Sequence, residues 1–293
     1  MSSTSQPSTS AQHDSTEAFQ LVQDLAAQLS SGKLRIPSLP EVVIRIRQTL
    51  EQEDYVLEEL ARLLSSEAIL AGTILKLANS ATYRRSSAET ANMSAAISRI
   101  GASMVRSASM NFAMQQLRNA DQFKNIEHLL SPEWQHGKAV AGLSHSLSRS
   151  TGRGHPDEML MLGLTHNVGR IFILSHAEHY PLTFSSAAAV NDLMHRWHPA
   201  IGSAIAESWN LPETAVQAIG QQHQPDDEQD HQHDVSDVLQ TAIALHAIDA
   251  DCDDEDAALA ALLELPSASR LGLDAAILRD ARTQAAQWIE LLA

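Results

Sequence analysis

The chain has 293 residues, 44% apolar and 19% charged, a balance that excludes a disordered or fibrous protein and leaves one large domain or two smaller lobes. Lys plus Arg total 20 against 36 for Asp plus Glu, a formal charge of −16, and such a field repels phosphate backbones, so nucleic acid is not an expected partner. The single cysteine, Cys252, excludes an intramolecular disulfide framework and a cysteine-based zinc ribbon.

Residues 1–16 are Ser, Thr and Gln without periodicity and are expected to form a disordered tail. A first helix is predicted over 17–29, with Gly32 as its stop. Ser38 and Glu41 read as a capping box with Pro40 in the first helical turn, followed by Val43, Ile46 and Leu50 at helical spacing. Leu57, Leu60 and Leu64 form a second apolar stripe, and Ile74, Leu77 and Ala81 a third. A short helix with Met93, Ile97 and Ile100 stops at Gly101, and a longer one resumes over 102–117. Ser131-Pro132-Glu133 reads as a helix start, as do His155-Pro156 and the segment Asn210, Pro212, Glu213. The acidic stretch 225–237, with His231 and His233, reads as a solvated loop. Further helices are expected over 238–250 and 274–292.

No segment alternates with the period of a strand, and scarce aromatics with abundant Ala and Leu favour helix, so the fold class is all-α. No apolar run reaches the ~18 residues of a membrane span. No basic residue precedes Lys33, so no secretory signal peptide is expected and the location expected is cytoplasmic.

Fourteen histidines are many for this length. His136, the pair His166-Asn167, His198, His223 and Asp249 lie on successive predicted helices, and a bundle can direct such side chains to one interior point. No two of these histidines form a local i, i+4 ligand pair, so spacing leaves ordinary core or surface histidines as an open alternative.

The words IPSLPEVVIRI, LSSEAILAGTILKLANSATY and AAISRIGASMVRSASM are followed by EWQHGKAVAGLSHSLSR, LGLTHNVGRIFIL, the W-x-L-P segment and ALHAIDA. In this order, over roughly 33–250, they resemble the HDOD domain, a noncatalytic relative of the HD phosphohydrolases. Composition, periodicity and the resemblance together imply a disordered tail (1–16), an N-terminal helical lobe (17–118), an HD-like helical lobe (119–250) and a C-terminal helical extension (251–293). The resemblance also implies that His136, His166, Asn167, His198, His223 and Asp249 stand where metal-dependent relatives have their ligands. Here Asn167 replaces the Asp of the name-giving His-Asp pair, Gln222 precedes His223 where one branch has a second His, and the GYP signature of that branch is missing.

Loss of an anionic ligand weakens metal binding and activation of water together, so no catalytic residue and no cofactor are expected. The remaining histidines suffice for one loosely held divalent ion. Arg170 matches a position that meets phosphate, with pairing to a nearby carboxylate as the competing reading. Asn79 reads as a helix cap, and Trp134, Trp197 and Trp209 as core. The expected function is a regulatory module that binds a signalling protein in trans, with Tyr83, Arg84 and Arg85 as the candidate partner surface. The alternatives are a degenerate phosphohydrolase acting on a cyclic dinucleotide or another nucleotide, and a small-molecule sensor using the old cleft.

Overall fold

A computed structural model describes residues 9–31, 38–84, 88–223, 234–248 and 254–292. Among these the secondary structure is helical throughout, with no strand. The helices are α1 (Thr9–Ser30), α2 (Glu41–Leu50), α3 (Leu57–Ser65), α4 (Ala68–Asn79), α5 (Ala81–Arg84) and α6 (Met93–Arg118). They continue with α7 (Glu127–Thr151), α8 (Pro156–Thr165), α9 (Val168–Leu174), α10 (Pro181–Ser185) and α11 (Ala187–Ser208). The last are α12 (Glu213–Gln221), α13 (Asp234–Ala247), α14 (Glu255–Leu263), α15 (Pro266–Arg270) and α16 (Ala275–Leu291).

Several boundaries differ from the expected ones for physical reasons. Helix α1 begins at Thr9 rather than Glu17, because adding a residue to an existing helix costs far less than nucleating one. It packs mainly on α10 and α11, where the Tyr180 hydroxyl donates to Asp24 and the Thr183 N–H to Glu17. The Ser38–Glu41 capping box does not form: Pro40 is the N-cap of α2, and no side chain caps it. Helix α7 starts at Glu127, so Pro132 lies inside it; the 3₁₀ turn Asp121–Ile126 feeds straight into its first turn. Helix α13 starts within the presumed loop, and Asp237 is buried there against Arg270, at 2.9 and 2.5 Å. Residues 224–233, with His231 and His233, lie outside the described residues, as does Cys252.

Other expectations hold. Gly101 (φ 82°, ψ 166°) kinks α6 where the sequence stops one helix and starts the next. His155 is the N-cap of α8, with Pro156 in its first turn. Trp134 and Trp209 are buried, and Trp197 packs on the same core. Asn79 closes α4 differently from a cap: its amide exchanges two 2.9 Å hydrogen bonds with the backbone of Thr90.

Helices α7 and α8 pack closely, α6 leans on α8, and α16 lies along α7 and reaches α4. The end of α16 is held by three donors from the N-terminal helices. Lys76 bonds the Glu290 carbonyl at 2.7 Å, while Asn111 and Gln115 bond that of Leu292 at 3.2 and 2.9 Å, satisfying carbonyls a helix end leaves open. Beneath α16, Asp157 accepts from the Tyr83 hydroxyl at 3.0 Å and lies 3.5 Å from His145 Nε2, and Trp288 covers both rings.

Helices α9 and α11 approach closely. A Cβ on Gly169 would sit 2.1 Å from the His198 carbonyl oxygen and 2.7 Å from the Gly202 nitrogen, so only glycine fits. Gly169→Ala is therefore expected to cost about 1–3 kcal/mol in urea unfolding. Gly72→Ala, in mid-helix with nothing within 4 Å of the new methyl, is expected to gain up to about 1 kcal/mol. Equal midpoints for the two variants would contradict this packing.

Candidate functional site: a histidine cluster closed on itself

The α9–α11 contact sets the site, because Gly169 lies just beyond the His166-Asn167 turn and brings it against His198 on α11. His136 comes from α7, and His223 from the turn after α12. Two imidazole pairs result. His136 and His166 meet Nε2 to Nε2 at 3.1 Å, and His198 and His223 meet the same way at 2.7 Å. His166 and His198 are buried, His136 is half-buried, and His223 is exposed. The structure brings these four together as two pairs, and Asp249 lies outside the described residues.

The proton positions follow from the partners. His166 Nδ1 lies 2.7 Å from the Gly163 carbonyl, which only accepts, so that nitrogen carries the proton in the neutral ring. Its Nε2 is then a bare lone pair, and His136 must donate to it.

Charge in the site is arranged by Glu133, which the sequence reading placed at a helix start. Its carboxylate is buried on α7 and accepts from Arg170 Nε and Nη2, both at 2.8 Å. The Asn167 amide donates to the Glu133 carbonyl at 2.7 Å and reaches its carboxylate at 3.3 Å. Arg170 is thus a fork closed on a carboxylate, the competing reading of that residue. Asn167 ties one turn of α7 to the α8–α9 turn. Its Oδ1 is buried without a partner, against Gly137. Gln222 also serves the backbone, donating to the His166 and Ile219 carbonyls at 3.2 and 2.8 Å.

Two histidines that the sequence reading passed over complete the cluster. The His246 ring lies 4.9 Å from that of His136, and His195 stacks on His223 at 5.3 Å. Spacing carried a signal for both: His195 and His198, and likewise His246 and Asp249, are three residues apart, as are Glu133 and His136.

Burial lowers every imidazole of the cluster for which a shift is resolved, because a cation there loses its water. His136 falls to about 4, His166 to about 3 and His198 to about 2, with neighbouring rings and Arg170 adding to the effect. His223 and His246 are lowered for the same reason. Among the described residues no three His, Cys, Asp or Glu side chains are arranged to hold one ion. The described donors do not fit the metal centre of a hydrolase.

The candidate partner surface is also rearranged. Tyr83 is half-buried, edge-on to Trp288 and bonded to Asp157, and its hydroxyl is pushed well up by burial and by that carboxylate. It is therefore a packing residue, which corrects its reading as an exposed anchor. Arg84 pairs with Glu89 at 2.7 Å, and Arg85 lies outside the described residues.

Comparison with known proteins agrees with the fold. The model of the HDOD domain family matches residues 36–225. The chain belongs to the HDOD domain family. A protein of Treponema pallidum (strain Nichols), itself uncharacterized, is 23% identical over 211 residues, 68% of this chain; the match spans 40% of that protein's length. Among solved structures, a provisionally assigned metal-dependent phosphohydrolase from Shewanella amazonensis SB2B has a TM-score of 0.74 at 23% identity, covering 94% of this chain and 99% of that one. An HDOD domain protein of unknown function from Geobacter sulfurreducens gives 0.65 at 21% identity, covering 92% and 96%. At these identities the likeness establishes the fold alone. Among the described residues no helix is long and apolar enough to cross a membrane.

The histidine shifts give a stability profile for the metal-free protein. Each ring protonates near 6.5 in the unfolded chain and only near 4, 3 or 2 in the fold. Stability is thus complete above about pH 6.5 and falls with pH below it, by up to about 1.4 kcal/mol per pH unit for each histidine. Urea unfolding from pH 7 to 5 is expected to show this decline, with a shallower slope in His198→Leu. A slope unchanged by that substitution would contradict the burial of a neutral ring.

Proposed function

We propose that the chain is a noncatalytic regulatory module that works through contact with a signalling protein in trans. The observation that carries this reading is the closed set Glu133–Arg170–Asn167. In a hydrolytic site a carboxylate beside the histidines holds metal and so activates water. Here the nearest carboxylate among the described residues is neutralised by Arg170, the position of the family's Asp holds a neutral amide facing backbone, and the imidazoles bond one another. In that set neither carboxylate nor amide is left open to hold a metal beside a phosphate. Family membership and the likeness to a provisionally assigned signal transduction protein of Marinobacter aquaeolei VT8 (TM-score 0.58, 17% identity, 94% of this chain and 64% of that one) support the regulatory reading. With catalysis set aside the output is a surface, and a net charge of −16 favours a basic or apolar protein patch over nucleic acid.

The rival reading, a living phosphohydrolase, draws on the description of the Shewanella protein. Protein prepared without chelators is expected to contain far less than stoichiometric metal. It is also expected to turn over neither cyclic di-GMP nor bis(p-nitrophenyl) phosphate in excess Mn²⁺. Turnover by the wild type that disappears in His166→Ala would overturn the proposal. Asn167→Asp removes the donor to the Glu133 carbonyl and sets a second carboxylate against the first. It is expected to cost about 1–3 kcal/mol of stability without raising Mn²⁺ affinity. Raised affinity would mean that the remaining ligands still converge.

A further inference from the structure

We propose that a cavity remote from the histidine cluster binds an apolar monocarboxylic acid, with the carboxylate on Arg106. The cavity, about 360 Å³, lies between α2, α6, α8 and the 210–212 turn, and it shares no residue with the cluster. Its volume is that of a small-ligand site. Its walls are apolar, formed by Leu39, Val43, Ile46, Met110, Met161 and Leu211.

Four charged residues line it: Arg47, Glu51, Arg106 and Glu158. Arg47 is engaged, donating to the Trp209 carbonyl and lying 3.3 Å from Glu51. Arg106 is different. It is half-buried and donates once, from Nη2 to the Leu50 carbonyl at 3.0 Å, with no carboxylate among the described residues within ion-pair distance. A guanidinium has five N–H donors, so most of its fork is open to a second acceptor. Glu158 is exposed on the rim. An unpaired, half-buried cation costs solvation energy that a bound anion offsets, and a carboxylate matches the fork.

Charge also limits which anion fits. The chain as a whole is strongly acidic, Glu51 and Glu158 stand at this cavity, and a single guanidinium is free. One negative charge on an apolar body is therefore favoured, and the two phosphates of a cyclic dinucleotide are not. Because α2 and α6 form one side and α8 the other, an occupant would fasten the N-terminal helices to the α7–α8 pair. The inference stands apart from the fate of the histidine cluster.

Octanoate is the probe and octanol its neutral counterpart, both read by titration calorimetry on the full chain. Octanoate is expected to bind saturably, one per chain and about tenfold tighter than octanol. Arg106→Gln should abolish that preference while leaving octanol binding in place, an effect that mere loss of a contact to Leu50 would not produce. Glu158→Gln should tighten octanoate by removing a like charge, and Ser103→Trp, on the cavity wall, should block both ligands. Where Arg106→Gln does not fold, the ¹³C-carboxyl signal of labelled octanoate on the wild type decides, because a carboxylate on Arg106 must titrate below the free acid. The proposal is overturned by absent or unsaturable binding, by equal affinity for octanol, by unaltered octanoate binding in Arg106→Gln, by a carboxyl that titrates as the free acid does, or by displacement of octanoate by cyclic di-GMP.

Discussion

The Glu133 carboxylate is the point on which the site turns. A buried carboxylate must be paired, and this one is closed from two sides by groups of the His166–Arg170 segment, the guanidinium of Arg170 and the amide of Asn167. That closure fixes α7 against the start of α9, and the close Gly169–His198 approach then fixes α9 against α11. The imidazoles that the two contacts bring together are held neutral by burial and bond in pairs. Asn167 is central to the arrangement. An Asp would face Glu133 with like charge, whereas the amide supplies the donors that the Glu133 backbone and side chain accept.

Much of the fold was legible in the sequence because helical periodicity is a local signal. The stripes of α2 and α3, the pair Ile74 and Leu77 of α4, the glycine break in α6 and the extent of α16 all came from spacing, whereas Ala81, expected on the α4 stripe, falls in α5 and is exposed. What failed were the features set by tertiary partners. Ser38 offers a cap that the chain does not use, Pro132 is absorbed into α7, and Asp237 leaves an acidic stretch to bind Arg270. Tyr83 looks like a loop residue until α16 covers it with Trp288.

The candidate site was half legible. The ordered words placed His136, His166, His198 and His223, and the structure brings them together in pairs. Glu133 went unnoticed because no sequence rule shows that Arg170, 37 residues on, returns to it. His195 and His246 were missed by looking for ligand pairs one turn apart at i, i+4, when this chain uses i, i+3. The same clustering has a reach beyond the site, since α16 connects α7 to the ends of Lys76, Asn111 and Gln115.

The most direct test of the central claim is a crystal structure of the protein grown in excess Mn²⁺, with anomalous data collected at the manganese edge. The account predicts no anomalous peak among His136, His166 and His198, with Glu133 still bonded to Arg170 and Asn167. A manganese ion ligated by two or more of these imidazoles, with Glu133 or Asp249 turned towards it, would contradict the account.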